Sequence, residues 1–215
     1  MKTPKNLLSE SGQRGNSTIA MPTSLNHLQR SADLPMEVRQ AADRCWRLFP
    51  LQGHSRFAKA DFEGAATCDL GVLEHLAIQY RDCNWALLTG QASGVFVCEV
   101  DSTCGRTALH ALNEGDWDCE ETLQSKAGDT WYAFFRWPAG VTVCNKVLAP
   151  GLRIHGEDDF VLIPPSKHRS GVSHAYLDPD AWIATAPKWL LDLAFKEPKG
   201  QSSGKILPFP VPPQR

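Results

Sequence analysis

The sequence has no C-x-x-C pair, no apolar run approaching the roughly 18 residues of a membrane span, and no apolar segment near its start of the kind a secretory signal carries. Each absence removes a class. The seven cysteines (Cys45, Cys68, Cys83, Cys98, Cys104, Cys119, Cys144) are odd in number and scattered, so neither a disulfide framework nor a zinc ribbon is indicated. Charge of one sign is also lacking. With 22 Lys and Arg against 24 Asp and Glu, the net charge of −2 gives no global pull toward nucleic acid or an anionic membrane, so any such binding has to come from a local patch. There is no internal repeat and no aromatic-rich K/R-G-F/Y run, which speaks against a plain RNA-binding sheet. No membrane partner is expected, and the cytoplasm is the expected location.

What is present is an ordinary globular composition, 42% hydrophobic and 21% charged in 215 residues, enough for one core and two tails. Residues 1–32 are rich in Ser, Asn, Gly and Gln without apolar periodicity and are expected to be a disordered tail. Residues 33–196 are expected to form one α/β (α+β) domain, and 197–215 a flexible Pro-rich tail. Within the domain, Val38, Ala41, Ala42, Cys45 and Trp46 have helical spacing after Pro35, and Arg47–Leu51 reads as a short strand. Asp69 is placed to cap a helix with Leu70, Leu73, Leu76, Ala77 and Tyr80 on its apolar stripe. Asn84–Leu88 is the next strand. Thr107, Leu109, His110 and Leu112 suggest a helix after Asp101. Thr122–Ser125 with Trp131–Trp137, and Leu152–His155 with Phe160–Ile163, read as two hairpins. Pro187 opens a last helix with Trp189, Leu190, Leu193 and Ala194.

The chain is organised around Gly94–Asp101, a β-branched and apolar run ending in two carboxylates. Side chains alternate along a strand, so Val95, Val97, Glu99 and Asp101 share one face. Cα atoms at i and i+2 lie roughly 6.5–7 Å apart, which lets both acids reach one hard cation or a pair of them. The other reading of the same residues is a pair of capping acids at the start of the next helix.

The order of motifs resembles the bifunctional DNA primase/polymerase (Prim-Pol) domain of the archaeo-eukaryotic primase superfamily, over roughly Cys45 to Phe195. The carriers are Trp46-Arg47-Leu48-Phe49-Pro50-Leu51, then Ala66-Thr67-Cys68-Asp69, then the stretch from Asn84 through Thr89-Gly90-Gln91-Ala92-Ser93-Gly94 to Glu99-Val100-Asp101. Phe134-Phe135-Arg136-Trp137-Pro138 and Gly151-Leu152-Arg153-Ile154-His155-Gly156 through Pro164-Pro165-Ser166 complete the series. The resemblance implies an RRM-like mixed-sheet catalytic core flanked by helices. It also implies metal-dependent nucleotide addition to a DNA or primer 3′-end, with Glu99 and Asp101 as catalytic metal ligands for Mg2+ or Mn2+. Two bridging cations neutralise the phosphoryl oxygens and the leaving pyrophosphate in such chemistry. Nucleoside triphosphates and a DNA template or primer are the implied partners. No helicase motif follows, so a replicative role would require a separate helicase or replication protein.

Two positions depart from the family's pattern. Its nucleotide-binding histidine falls on Tyr132, and its third acid falls on Arg153. Tyrosine stays neutral near pH 7, and arginine puts positive charge where a metal ligand is wanted. Asp158 and Asp159 in the adjacent turn are stand-in acids, and Arg136, on the Tyr132 face, is a candidate triphosphate contact together with Tyr132 and Arg153. Against this stands an ion pair between Arg153 and Glu99 or Asp101 that fills the site without metal. Lys167, His168 and Arg169 are candidates for holding a nucleic-acid backbone, and the remaining histidines are read as structural. The alternative to an enzyme is a catalytically inactive relative that binds nucleotide or single-stranded nucleic acid.

Overall fold

The computed structural model describes residues 34–51, 65–113, 121–168 and 170–195. The two tails expected from the sequence, and Arg169, lie outside the described residues. Pro35 sits at the N-cap of α1 (Met36–Asp43), whose Val38, Ala41 and Ala42 are buried, and the chain then enters β1 (Leu48–Leu51). Asp69 caps α2 (Leu70–Gln79), its Oδ1 accepting from the Val72 amide at 3.0 Å, which satisfies one of the orphan donors of the first turn. β2 (Asn84–Thr89) and β3 (Val95–Asp101) follow, then α3 (Ser102–Leu112). The remaining elements are β4 (Gln124–Ala127), β5 (Thr130–Arg136), β6 (Lys146–Ala149), β7 (Leu152–His155), β8 (Asp159–Ile163), β9 (Ala175–Tyr176), β10 (Ala184–Thr185) and α4 (Lys188–Phe195).

The strands form a three-stranded sheet, β1-β2-β8, and a seven-stranded sheet in the order β6-β7-β3-β5-β4-β9, with β10 pairing β5 in parallel. The other pairings are antiparallel, so the class is α+β. β3 is central because its residues are apolar on both faces. Phe96, Cys98 and Val100 pack with Leu109 of α3 and with Leu190 and Ala194 of α4. Val95 and Val97 pack on the opposite face with α1, Trp46 and Phe134, the last two rings stacked at 5.2 Å. Among the described residues no helix is long and apolar enough to cross a membrane.

One expected hairpin forms and one does not. β4 and β5 pair through a turn at Gly128-Asp129, tighter than the sequence suggested. β7 and β8 do not pair: β7 joins the large sheet beside β3, and β8 joins β2 in the small one. Gly156-Glu157-Asp158 is therefore a crossing between sheets, with Asp158 at φ 54°. β8 is fixed there by its apolar side chains and by the turn after it. Ser166 Oγ accepts from the Trp85 amide at 2.7 Å and donates to the Trp85 carbonyl at 3.0 Å, fully inside the protein. Replacing Ser166 by alanine leaves both backbone groups unpaired, and urea unfolding should show a loss of about 2 kcal/mol.

Candidate functional site

Strand register assembles the site. Glu99 on β3 is directly opposite Tyr132 on β5 and Arg153 on β7. Tyr132 is opposite Ser125 on β4, which is opposite Tyr176 on β9. Directly opposed residues project from the same face. A single transverse row therefore runs Arg153, Glu99, Tyr132, Ser125, Tyr176 across five strands. The next row along β3 places Asp101 opposite Thr130, whose hydroxyl donates to Asp101 Oδ1 at 2.7 Å. Asp101 occupies the N-cap position of α3 without capping it through its side chain. The acid pair does share a face, and the capping reading of Asp101 does not hold.

The acids differ in what surrounds them. Asp101 is exposed, whereas Glu99 is 8% exposed and its Oε2 lies 2.6 Å from Nε2 of His155, itself 5% exposed. The other ring nitrogen of His155 is 2.9 Å from Asp159 Oδ2, and Arg153 donates to the same oxygen at 2.8 Å. His155 is thus a partner of Glu99, and Asp159 a partner of Arg153. The sequence reading missed His155 here, although its place two residues after Arg153 already set it on the same strand face. Burial alone would lower the His155 pKa, but hydrogen bonds and charge from Asp159 and Glu99 outweigh it and hold the ring above its ordinary range. Burial raises and His155, the Phe160 amide and Arg153 lower the Asp159 pKa, leaving it below the ordinary carboxylate range. The group is an internally compensated chain of charges, Glu99, His155, Asp159 and Arg153.

The other expected contacts are spread out. Tyr132 is buried, and its ring packs on His174 with centroids 5.4 Å apart. Arg136 is exposed at the far end of β5, with Nη2 3.5 Å from the Ile183 carbonyl. Asn84 clamps the backbone of Lys167 through both its amide nitrogen and its oxygen, and His168 Nδ1 pairs with Ser170 at 2.9 Å. Asp158 stands at the crossing beside Asp159.

A two-cation centre would need another donor set. Hard cations take clusters of oxygen ligands, yet the position opposite Glu99 is a guanidinium, and Glu99 and Asp159 both bond the His155 ring. Among the described residues no three His, Cys, Asp or Glu side chains are grouped to hold a metal ion. The residues present do not fit such a centre.

Residues 38–189 match the family described as bifunctional DNA primase/polymerase, N-terminal (Prim-Pol), most of the chain. The chain belongs to that family. A comparison with curated proteins finds no match.

Proposed function

We propose that this Prim-Pol member is a nucleotide-binding relative of the polymerising domains, taking nucleotide free or within a single strand, and that it does not extend a 3′-end. The observation that supports this is the contact of Glu99 with His155 at 2.6 Å. A divalent cation brought to Glu99 would meet the imidazolium and the Arg153 guanidinium. The His155 and Arg153 cations already neutralise the Glu99 and Asp159 carboxylates, so a divalent ion at Glu99 would have to displace the ring that Glu99 bonds. That opposes the charge neutralisation on which phosphoryl transfer depends. Arg136, at the exposed end of β5, offers positive charge to a phosphate at the rim.

The test is to mix the protein with primed and unprimed DNA templates, labelled nucleotides, and magnesium or manganese, and to titrate nucleotide by calorimetry alongside. Binding without extension is the expected result. Extension that disappears in the double variant Glu99→Gln with Asp101→Asn is the result of the competing reading, metal-dependent nucleotide addition, and would replace this one.

A further inference from the structure

We propose that residues 206–211 of this chain, which lie outside the described residues, add to the outer side of β6 as a further edge strand of the large sheet. Among the described residues β6 ends that sheet, with β7 on one side and no strand on the other. Lys146 and the register shift between Val147 and Ala149 guard such an edge in part, yet Val147 is 69% exposed beside it. The chain leaves the described domain next to this edge. The Lys146 ammonium donates to the Leu193 carbonyl at 3.0 Å, which sets the last turn of α4 against the start of β6.

The pattern of the segment suits that edge. Leu207, Phe209 and Val211 alternate with Pro208, Pro210 and Pro212. In an extended strand the N–H and C=O of one residue point to one side and those of the next residue to the other. The three residues that carry N–H groups therefore turn all of them to the same neighbour, and the prolines, which have none, face away. Such a strand pairs on one side only, so it closes the edge it joins instead of inviting another strand. The same alternation gathers Leu207, Phe209 and Val211 on one face. The connection is long enough. Residues 196–205 include Gly200, Ser202, Ser203 and Gly204, and a spacer of that composition and length spans roughly 16–19 Å. Tethering holds the segment at an effective concentration on the order of millimolar, where a pairing too short to form between separate molecules is populated. β7, with Arg153 and His155, then lies two strands in from the edge.

The experiment is amide hydrogen exchange by NMR on the full chain, and its outcome is independent of nucleotide binding. The amides of Leu207, Phe209 and Val211 should exchange at least about 10-fold more slowly than in a synthetic peptide of residues 196–215. Phe209→Pro removes the central donor and should return Leu207 and Val211 to the peptide rate. Pro210→Ala should leave the protection in place, and the new amide at position 210 should exchange fast because it faces solvent. Both substitutions lie outside the described domain, so neither tests its folding. Exchange at the peptide rate in the wild type overturns the proposal, and with it leaves the segment for a polyproline-binding partner. Protection that grows with protein concentration, with a dimer in sedimentation, gives the edge to a second copy and also overturns it. Protection that survives Phe209→Pro, or is lost with Pro210→Ala, overturns the one-sided pairing on which it stands.

Discussion

Replacing His155 by alanine is expected to cost about 3–5 kcal/mol of unfolding free energy, the range for removing one partner from a buried charge pair. The ring is almost wholly buried between Glu99 and Asp159, and its removal leaves two carboxylates with one guanidinium among them. Arg153→Ala should cost under about 1 kcal/mol, because its side chain is 37% exposed and solvent screens its pair with Asp159. Urea denaturation of both variants measures the contrast. The pH dependence carries the same signature. The folded His155 pKa is raised above its usual 6.5, so its contribution is fully present below that value and is lost as pH rises through the raised one. The Asp159 contribution has the opposite sign, present above the ordinary value of 3.8 and lost as pH falls through its lowered one. The loss of stability at rising pH should therefore be strong in wild type and absent in His155→Ala.

The second large effect lies behind the acid strand. A Cβ built on Gly105 would run into the backbone carbonyl of Gly151, and Gly151, at φ 74°, is itself pressed against the Asp101 carbonyl. This close approach lets α3 start immediately after Asp101 and lets the Asp101 amide donate to the Gly151 carbonyl at 2.7 Å. Neither contact is with a side chain that could swing aside. Gly105→Ala should cost about 3 kcal/mol, and the strain should fall on the β6–β7 turn that carries β7 and its Arg153 and His155. Gly128→Ala, whose Cβ meets nothing within 4 Å, gives the comparison: its cost should be limited to the strain of φ 63°.

Much of this was legible in the residues. Alternation along Val95–Asp101 puts Glu99 and Asp101 on one face, and the succession of motifs assigns Tyr132 and Arg153 to the same site as Glu99, beside which the register places them. What the sequence could not give is the pairing of charges. Whether Arg153 or His155 meets Glu99 depends on the β3–β7 register, which opposes Val97 to His155 and lets the imidazole reach diagonally to Glu99. The turn residues Gly156-Glu157-Asp158 signal a reversal but not whether the chain returns to its own sheet or crosses to another. β6 was missed because its four residues, Lys-Val-Leu-Ala, do not alternate cleanly and Val147 is 69% exposed. The closeness of Gly105 to Gly151 joins residues far apart in sequence, and nothing local marks it.

Nitrogen NMR of the His155 ring at pH 7, with and without excess magnesium, shows whether Glu99 is paired with a protonated His155 or with a cation. The expected spectrum shows both ring nitrogens protonated and unmoved by magnesium. A neutral ring, or loss of the Nε2 proton when magnesium is added, would overturn the pairing of Glu99 with an imidazolium.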